Sequence, residues 1–133
     1  MRIVTLLACL VTLELAALPV LAEGLADHKA RAEVVEQLYA AGDYAGAEAA
    51  AEALAAQASA GFGPDSPQVL DVQITLANAL RQQDKLEEAV AMFRHVHARW
   101  LATKGEYHPR TLAAANALSV ILSETGRADE ALP

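Results

Sequence analysis

The apolar residues in the middle of the chain recur every three or four positions. The first run contains Val69, Val72, Leu76, Ala77 and Leu80. This period places the five side chains on one face of a helix of about four turns. After a polar break at residues 82–85, a second run repeats the period with Leu86, Ala89, Val90, Phe93, Val96, His97, Trp100 and Leu101. The pattern predicts two amphipathic helices, A and B, joined by a short turn.

The residues around these runs are typical of helix ends. Ser66 can cap helix A with its hydroxyl, and Pro67 suits the first helical position because it has no N–H to leave unpaired. Gly105 and Pro109 close the hairpin. Each helix has one apolar stripe that it cannot bury alone, so successive hairpins must stack into a solenoid.

The hairpin recurs at a spacing of 42 residues. The corner at residues 42–47 aligns with 84–89 and 126–131, and the turn at 63–67 aligns with 105–109. The same spacing aligns Leu38 with Leu80 and Leu122, and Val34 with Leu76 and Leu118. A constant period of this length indicates a repeat architecture.

The period divides the chain into repeat 1 (residues 25–62), repeat 2 (63–104) and an incomplete repeat 3 (105–133). In repeat 1, helix A is expected from about Leu25 to Ala41 and helix B from about Tyr44 to Ser59. In repeat 3, helix A is expected from Pro109 to Thr125.

These units resemble the tetratricopeptide repeats, specifically their kinesin-light-chain-like class with 42 residues per repeat. The marks are the turn at 63–67, the pair Leu76-Ala77, Leu80, the corner at 84–89 and Phe93. Two departures stand out: Asp84 occupies a position where the family has glycine, and repeat 1 lacks the Gly-Pro-Asp-x-Pro turn. The resemblance implies an all-α fold, a right-handed α-solenoid of antiparallel helix hairpins with about two and a half repeats.

The resemblance also implies a peptide-binding surface on the concave side formed by the A helices. The positions that would face it are Lys29, Glu36 and Tyr39 in repeat 1, Asp71, Ile74, Asn78 and Arg81 in repeat 2, and Asn116, Val120 and Ser123 in repeat 3. Asn78 and Asn116 are the strongest candidates, because a carboxamide both donates to and accepts from a peptide backbone. An ordinary polar surface is the equally weighted alternative. A subtype of the family that binds C-terminal carboxylates with Lys and Asn is disfavoured, because this sequence has Ala32 and Glu36 at those two positions.

Charge and composition favour a protein or peptide partner over nucleic acid. The chain has 17 acidic and 10 basic residues and a formal charge of −7, whereas phosphate contacts need clustered Lys and Arg. His95 and His97 are two positions apart on a helix and cannot chelate one metal as an i, i+4 pair would. We find no catalytic grouping and expect no enzymatic activity, no cofactor and no metal from this chain alone.

Residues 1–22 have the pattern of a signal peptide. Arg2 precedes the apolar run Ile3 to Leu13, and Val20-Leu21-Ala22 suits signal peptidase. The alternatives are an uncleaved membrane anchor, which Glu14 and Pro19 disfavour, and lipid attachment at Cys9. Export to the periplasm or the medium is therefore expected, without membrane contact after cleavage.

Repeat 3 stops before its helix B can form two turns. We expect Leu118, Ile121 and Leu122 to be left uncovered, so that this edge self-associates or recruits a partner. Two hypotheses for function follow. The chain is an exported scaffold or adaptor that holds a protein or peptide. Alternatively, it is the N-terminal repeat segment of a longer exported enzyme, such as a repeat-fused caspase-like peptidase.

Cleavage of the signal peptide predicts a mature protein that begins at Glu23 and accumulates outside the cytoplasm. Mass spectrometry of the intact protein measures this directly. Recovery of a chain that begins at Met1 in the membrane fraction would show an anchor instead.

Overall fold

The computed structural model describes residues 24–127 and Glu130, in which five α-helices and no strand are present. The predicted signal peptide lies outside the described residues. The helices are α1 (residues 24–40), α2 (Tyr44–Phe62), α3 (Pro67–Gln82), α4 (Leu86–Lys104) and α5 (Pro109–Glu124). The predicted all-α solenoid is confirmed, with α1, α3 and α5 as the A helices and α2 and α4 as the B helices.

Local side-chain caps set the helix starts. The Ser66 hydroxyl accepts the Val69 N–H at 3.3 Å, and Pro67 is the first residue of α3, as predicted. In α2 the Asp43 carboxylate accepts the Gly46 N–H at 3.0 Å. In α5 the His108 Nδ1 accepts the Arg110 N–H at 3.2 Å. The histidine of this turn therefore has a capping role.

The three corners between A and B helices share a left-handed residue. Gly42 and Gly126 have φ of 80° and 73°, and Asp84 has φ of 63°. Glycine takes this conformation without a steric cost, whereas aspartate is one of the few other residues that tolerates it. The departure at Asp84 therefore keeps the corner geometry of the other two repeats.

One hydrophobic core runs through all five helices, because consecutive helices pack on one another along the chain. Its buried members come from α1 (Val35), α2 (Ala51, Leu54), α3 (Val72, Leu76, Ala77, Leu80), α4 (Ala89, Val90, Phe93) and α5 (Leu118, Ile121, Leu122). A second cluster joins Leu70, Val96, Trp100 and Ala114. The stacking predicted from the single stripes is thus the source of the core.

The predicted stripe of α4 is buried at five of its eight positions. Ala89, Val90, Phe93, Val96 and Trp100 are buried. The prediction is wrong for Leu101, which is 43% exposed, while Leu86 and His97 are partly buried. Leu70 is fully buried in α3 and was absent from the predicted stripe. It lies on a second side of α3, toward Val96 and Trp100, which a single-stripe pattern does not include.

Repeat-equivalent positions differ in burial at the N-terminal end. Leu76 and Leu118 are 4% and 3% exposed, whereas Val34 is 50% exposed. Leu76 and Leu118 lie on helices that each pack against a preceding B helix, α3 against α2 and α5 against α4. No helix precedes α1 among the described residues, so Val34 has no corresponding neighbour.

The prediction that Leu118, Ile121 and Leu122 are uncovered at the C-terminal end is wrong. Leu118, Ile121 and Leu122 are 3%, 0% and 0% exposed. They belong to the same core cluster as Leu76 and Val90, so they face the preceding hairpin and need no further helix to cover them. The large apolar side chains of α5 that are exposed are Leu112, at 53%, and Val120, at 41%.

Ala89→Leu should destabilise the protein by about 1 to 3 kcal/mol, because Ala89 is 0% exposed in the core and extra methylenes overpack it. Chemical denaturation measures the change in the free energy of unfolding. The matched control is Ala91→Leu, at an exposed position of the same helix, which should stay within about 0.5 kcal/mol. Equal stabilities of the two variants would contradict the packing described here.

Candidate peptide-binding face

Two grooves lie side by side on the face formed by α1, α3 and α5, called the A-helix face below. The groove between α1 and α3 has a volume of about 360 Å³ and is lined by residues that include Lys29, Ala32, Val35, Glu36, Asp71, Val72 and Thr75. The groove between α3 and α5 has a volume of about 300 Å³, and its lining includes Glu36, Asp71, Ile74, Thr75, Arg110 and Ala117. Because Glu36, Asp71 and Thr75 line both grooves, the two form one continuous surface.

Polar side chains on this face are bonded across neighbouring A helices. The Thr75 hydroxyl of α3 donates to Glu36 Oε1 of α1 at 2.8 Å. Arg110 of α5 donates to the Asp71 carboxylate of α3. Each bond fixes the orientation of a side chain that a ligand in the grooves would meet.

A second link repeats at the C-terminal ends of the A helices. The Gln82 amide donates to the Tyr39 hydroxyl at 3.4 Å, and Arg81 donates to both carboxylate oxygens of Glu124 at 2.8 and 2.5 Å. Tyr39 and Arg81 are repeat-equivalent, as are Gln82 and Glu124. The 42-residue period therefore reproduces this contact, and the contact between Arg81 and Glu124 is a bidentate ion pair.

Asp71 carries the perturbed carboxyl group of this face. Partial burial raises the pKa of Asp71 above its ordinary value, because a buried carboxylate loses hydration, while the nearby Arg110 guanidinium opposes the shift. Because the pKa of Asp71 is higher in the folded than in the unfolded state, folding takes up protons at this carboxyl at pH values near the two pKa values. This group therefore favours folding most below its unfolded pKa of 3.8, and the contribution is lost as pH rises through the folded pKa.

The predicted site residues divide into two groups. Lys29, Glu36, Asp71 and Ile74 line the grooves. The others lie outside both linings: Tyr39 and Arg81 in the links between helices, Asn78 partly buried on α3, and Asn116, Val120 and Ser123 exposed on α5.

Thr75 and Arg110 line the grooves and were not predicted. Their bonds span 39 residues, from Glu36 to Thr75 and from Asp71 to Arg110. Comparison of equivalent positions at the 42-residue period does not reveal such pairs. The sequence signal that could have identified them is a pair of complementary polar residues spaced slightly less than one repeat apart.

The described residues offer no grouping for metal chemistry. In residues 24–127 and Glu130, no three His, Cys, Asp or Glu side chains are placed to hold a metal ion. None of the helices in this part of the chain combines the length and apolarity that crossing a bilayer needs.

Stacked helix hairpins with a grooved A-helix face define the class of α-solenoid scaffolds. The family model described as tetratricopeptide repeat matches residues 29–99 and 69–133. The chain belongs to the tetratricopeptide repeat family, and the kinesin-light-chain-like class predicted from the sequence is consistent with this match. No curated protein matches the sequence.

Arg110→Gln should raise the pKa of Asp71 further, because it removes the guanidinium that opposes the effect of burial. NMR titration of the Asp71 side-chain carboxyl measures the shift. Arg94→Gln is the matched control, since Arg94 pairs with Glu130 on another part of the surface. An Asp71 titration that is the same in both variants would show that Arg110 does not act on this carboxyl.

Proposed function

We propose that this protein is a scaffold that holds a peptide or a protein segment on its A-helix face. Tetratricopeptide repeats generally bind protein partners, and the chain belongs to that family. The observation that carries the proposal is the sharing of Glu36, Asp71 and Thr75 by two adjacent grooves. An extended peptide that crosses α3 would contact both grooves and pass these three side chains.

The grooves offer two kinds of contact to such a peptide. Their floors contain small or branched apolar side chains, among them Ala32, Val35, Val72, Ile74 and Ala117, which suit alternate apolar residues of a peptide. Their shared rim contains carboxylates that can accept N–H groups. Because Thr75 and Arg110 already hold these carboxylates, little side-chain entropy is lost when a ligand binds.

The full set of contact residues is part of the proposal. It comprises Lys29, Glu36, Tyr39, Asp71, Asn78, Arg81, Asn116 and Ser123. Arg81 is less available to a peptide than the other residues of this set, because its guanidinium already donates to both carboxylate oxygens of Glu124. A peptide carboxylate that approaches Arg81 must compete with this pair.

We place the scaffold outside the cytoplasm, on the signal-peptide pattern of residues 1–22, and we regard the repeats themselves as non-catalytic. Export stays a prediction, as do self-association at the C-terminal edge and the alternative that these repeats are the N-terminal segment of a longer exported enzyme.

Selection of peptides from a random display library, followed by fluorescence anisotropy with the selected peptides, tests the proposal. The double variant Glu36→Gln with Asn78→Ala should weaken binding by about tenfold or more, equivalent to about 1.4 kcal/mol. It removes one charge and one carboxamide from the A-helix face while leaving the buried core unchanged.

The control is the double variant Glu52→Gln with His95→Ala on α2 and α4. Both control residues line a recess that is formed by side chains of α2, α3 and α4 and that shares no residue with the two grooves of the A-helix face. Their replacement should leave the dissociation constants unchanged. Selected peptides that lose affinity for the control variant, and not for the first, would move the binding site to the B helices and refute the proposal.

A further inference from the structure

A recess is formed by α2 and α4 together with α3, on which both of them pack. It has a volume of about 490 Å³ and is called the B-helix recess here. Glu52 of α2 and Glu88 of α4 line it, together with the apolar side chains of Leu76, Leu80, Ala91 and Met92. Because α1 precedes these three helices and α5 follows them, the recess belongs to the middle of the described fold and not to one of its ends.

The repeat that follows has an ion pair where this recess has two carboxylates. Arg94 of α4 donates to the carboxylate of Glu130, which lies 36 residues further along the chain. Glu52 and Glu88 are the equivalents of these two residues one 42-residue period earlier. In the B-helix recess, a second carboxylate therefore occupies the position of the cation.

The cation beside the recess is already bonded to a different carboxylate. Lys85 interacts with the charges of Glu52 and Glu88, but its ammonium group donates to both oxygens of Glu48 at 3.1 and 2.9 Å. One ammonium group thus faces three carboxylates, and the recess keeps an excess of negative charge. A positive group that enters it would offset the repulsion between the two carboxylates.

An amide of α3 gives the recess a buried acceptor. Gln73 lines the recess, and its Oε1 atom is buried without a hydrogen-bond partner among the described residues. Ala115 stands at the equivalent position of α5, so the repeat does not require a polar side chain there. A donor that reaches this oxygen would restore a hydrogen bond that the atom loses on leaving water.

These features suit the side chain of arginine better than that of lysine. A guanidinium has five N–H donors in a planar fork, so it can donate to acceptors on two helices at once. Its aliphatic stem can lie on apolar side chains such as Met92 while the charged end meets the carboxylates. The ring of His95, in the same lining, offers an aromatic face for stacking.

We propose that the B-helix recess binds an arginine side chain of a partner protein, with the guanidinium between Glu52 and Glu88. The contact reproduces the pair of Arg94 with Glu130, except that another molecule supplies the cation. The chain has 17 acidic and 10 basic residues, so charge complementarity favours a basic partner over a second copy. The recess shares no residue with the two grooves of the A-helix face, so this site is additional to the proposed peptide-binding face.

The blocked tripeptide acetyl-Leu-Arg-Leu-amide is the probe, and NMR titration of the ¹⁵N-labelled protein measures its binding. Saturable shifts should appear at the side-chain amide of Gln73 and at the backbone amides of residues 88–95. The same peptide with citrulline in place of arginine keeps the shape without the charge, and it should bind about tenfold more weakly or less. The peptide with lysine in place of arginine should also bind more weakly.

The variant Glu52→Arg places a cation of the protein itself where Arg94 lies in the next repeat. It should occupy the recess and weaken binding of the arginine peptide by about tenfold or more. The matched control is Glu33→Arg at an exposed position of α1 outside the recess. It changes the net charge by the same amount and should bind the peptide as wild type does. Circular dichroism checks that both variants are folded.

Four results would overturn the proposal. The first is an absence of saturable shifts, and the second is binding of the citrulline or lysine peptide as tight as that of the arginine peptide. The third is equal affinity of Glu52→Arg and Glu33→Arg. The fourth is a dimer in sedimentation velocity that Glu52→Arg removes, because the occupant would then be a second copy.

The double variant Glu36→Gln with Asn78→Ala separates this site from the A-helix face. It should bind the arginine peptide as wild type does, because neither residue lines the B-helix recess. Weaker binding by this variant would move the arginine site to the A-helix face and overturn the proposal.

Discussion

The fold depends on one constraint, which is that each helix can bury its apolar side only against the next helix along the chain. Val72, Leu76 and Leu80 of α3 form a single cluster with residues of every other helix. Removal of a helix would expose the stripe of its neighbours, so the stability of each repeat is coupled to that of the adjacent ones. Small residues such as Ala77 and Ala89, both 0% exposed, allow the helices to approach closely enough for this burial.

The same stacking produces the A-helix face. Once α1, α3 and α5 are aligned by the core, polar residues about one repeat apart come within bonding distance, as Glu36 does with Thr75 and Arg81 with Glu124. These exposed bonds contribute little to stability, since exposed ion pairs are worth about 0 to 1 kcal/mol each. Their consequence is positional, because they hold the side chains that line or flank the two grooves.

The two ends of the described fold reveal how much the burial of a residue depends on its neighbours. Val34, Leu76 and Leu118 occupy equivalent positions, yet Val34 is 50% exposed and the others are buried. Leu70 and Leu112 show the same contrast at the other end. An identical position in the repeat is therefore core or surface according to whether a helix packs beside it.

The sequence by itself determined the helices, their limits to within a few residues, the 42-residue period and the family. These properties are local or periodic: Ser66 caps its own helix, and the period follows from residues at constant spacing. The sequence also placed Lys29, Glu36, Asp71 and Ile74 on the face where the structure has its grooves. Only the tertiary structure decided that Arg110 and Thr75 belong to that face, that Ile121 and Leu122 are covered by the preceding hairpin, and that Leu101 and Leu112 are open. The physical reason is that pairing and burial depend on which helices lie beside a residue, and the apolar pattern of one helix does not contain that information.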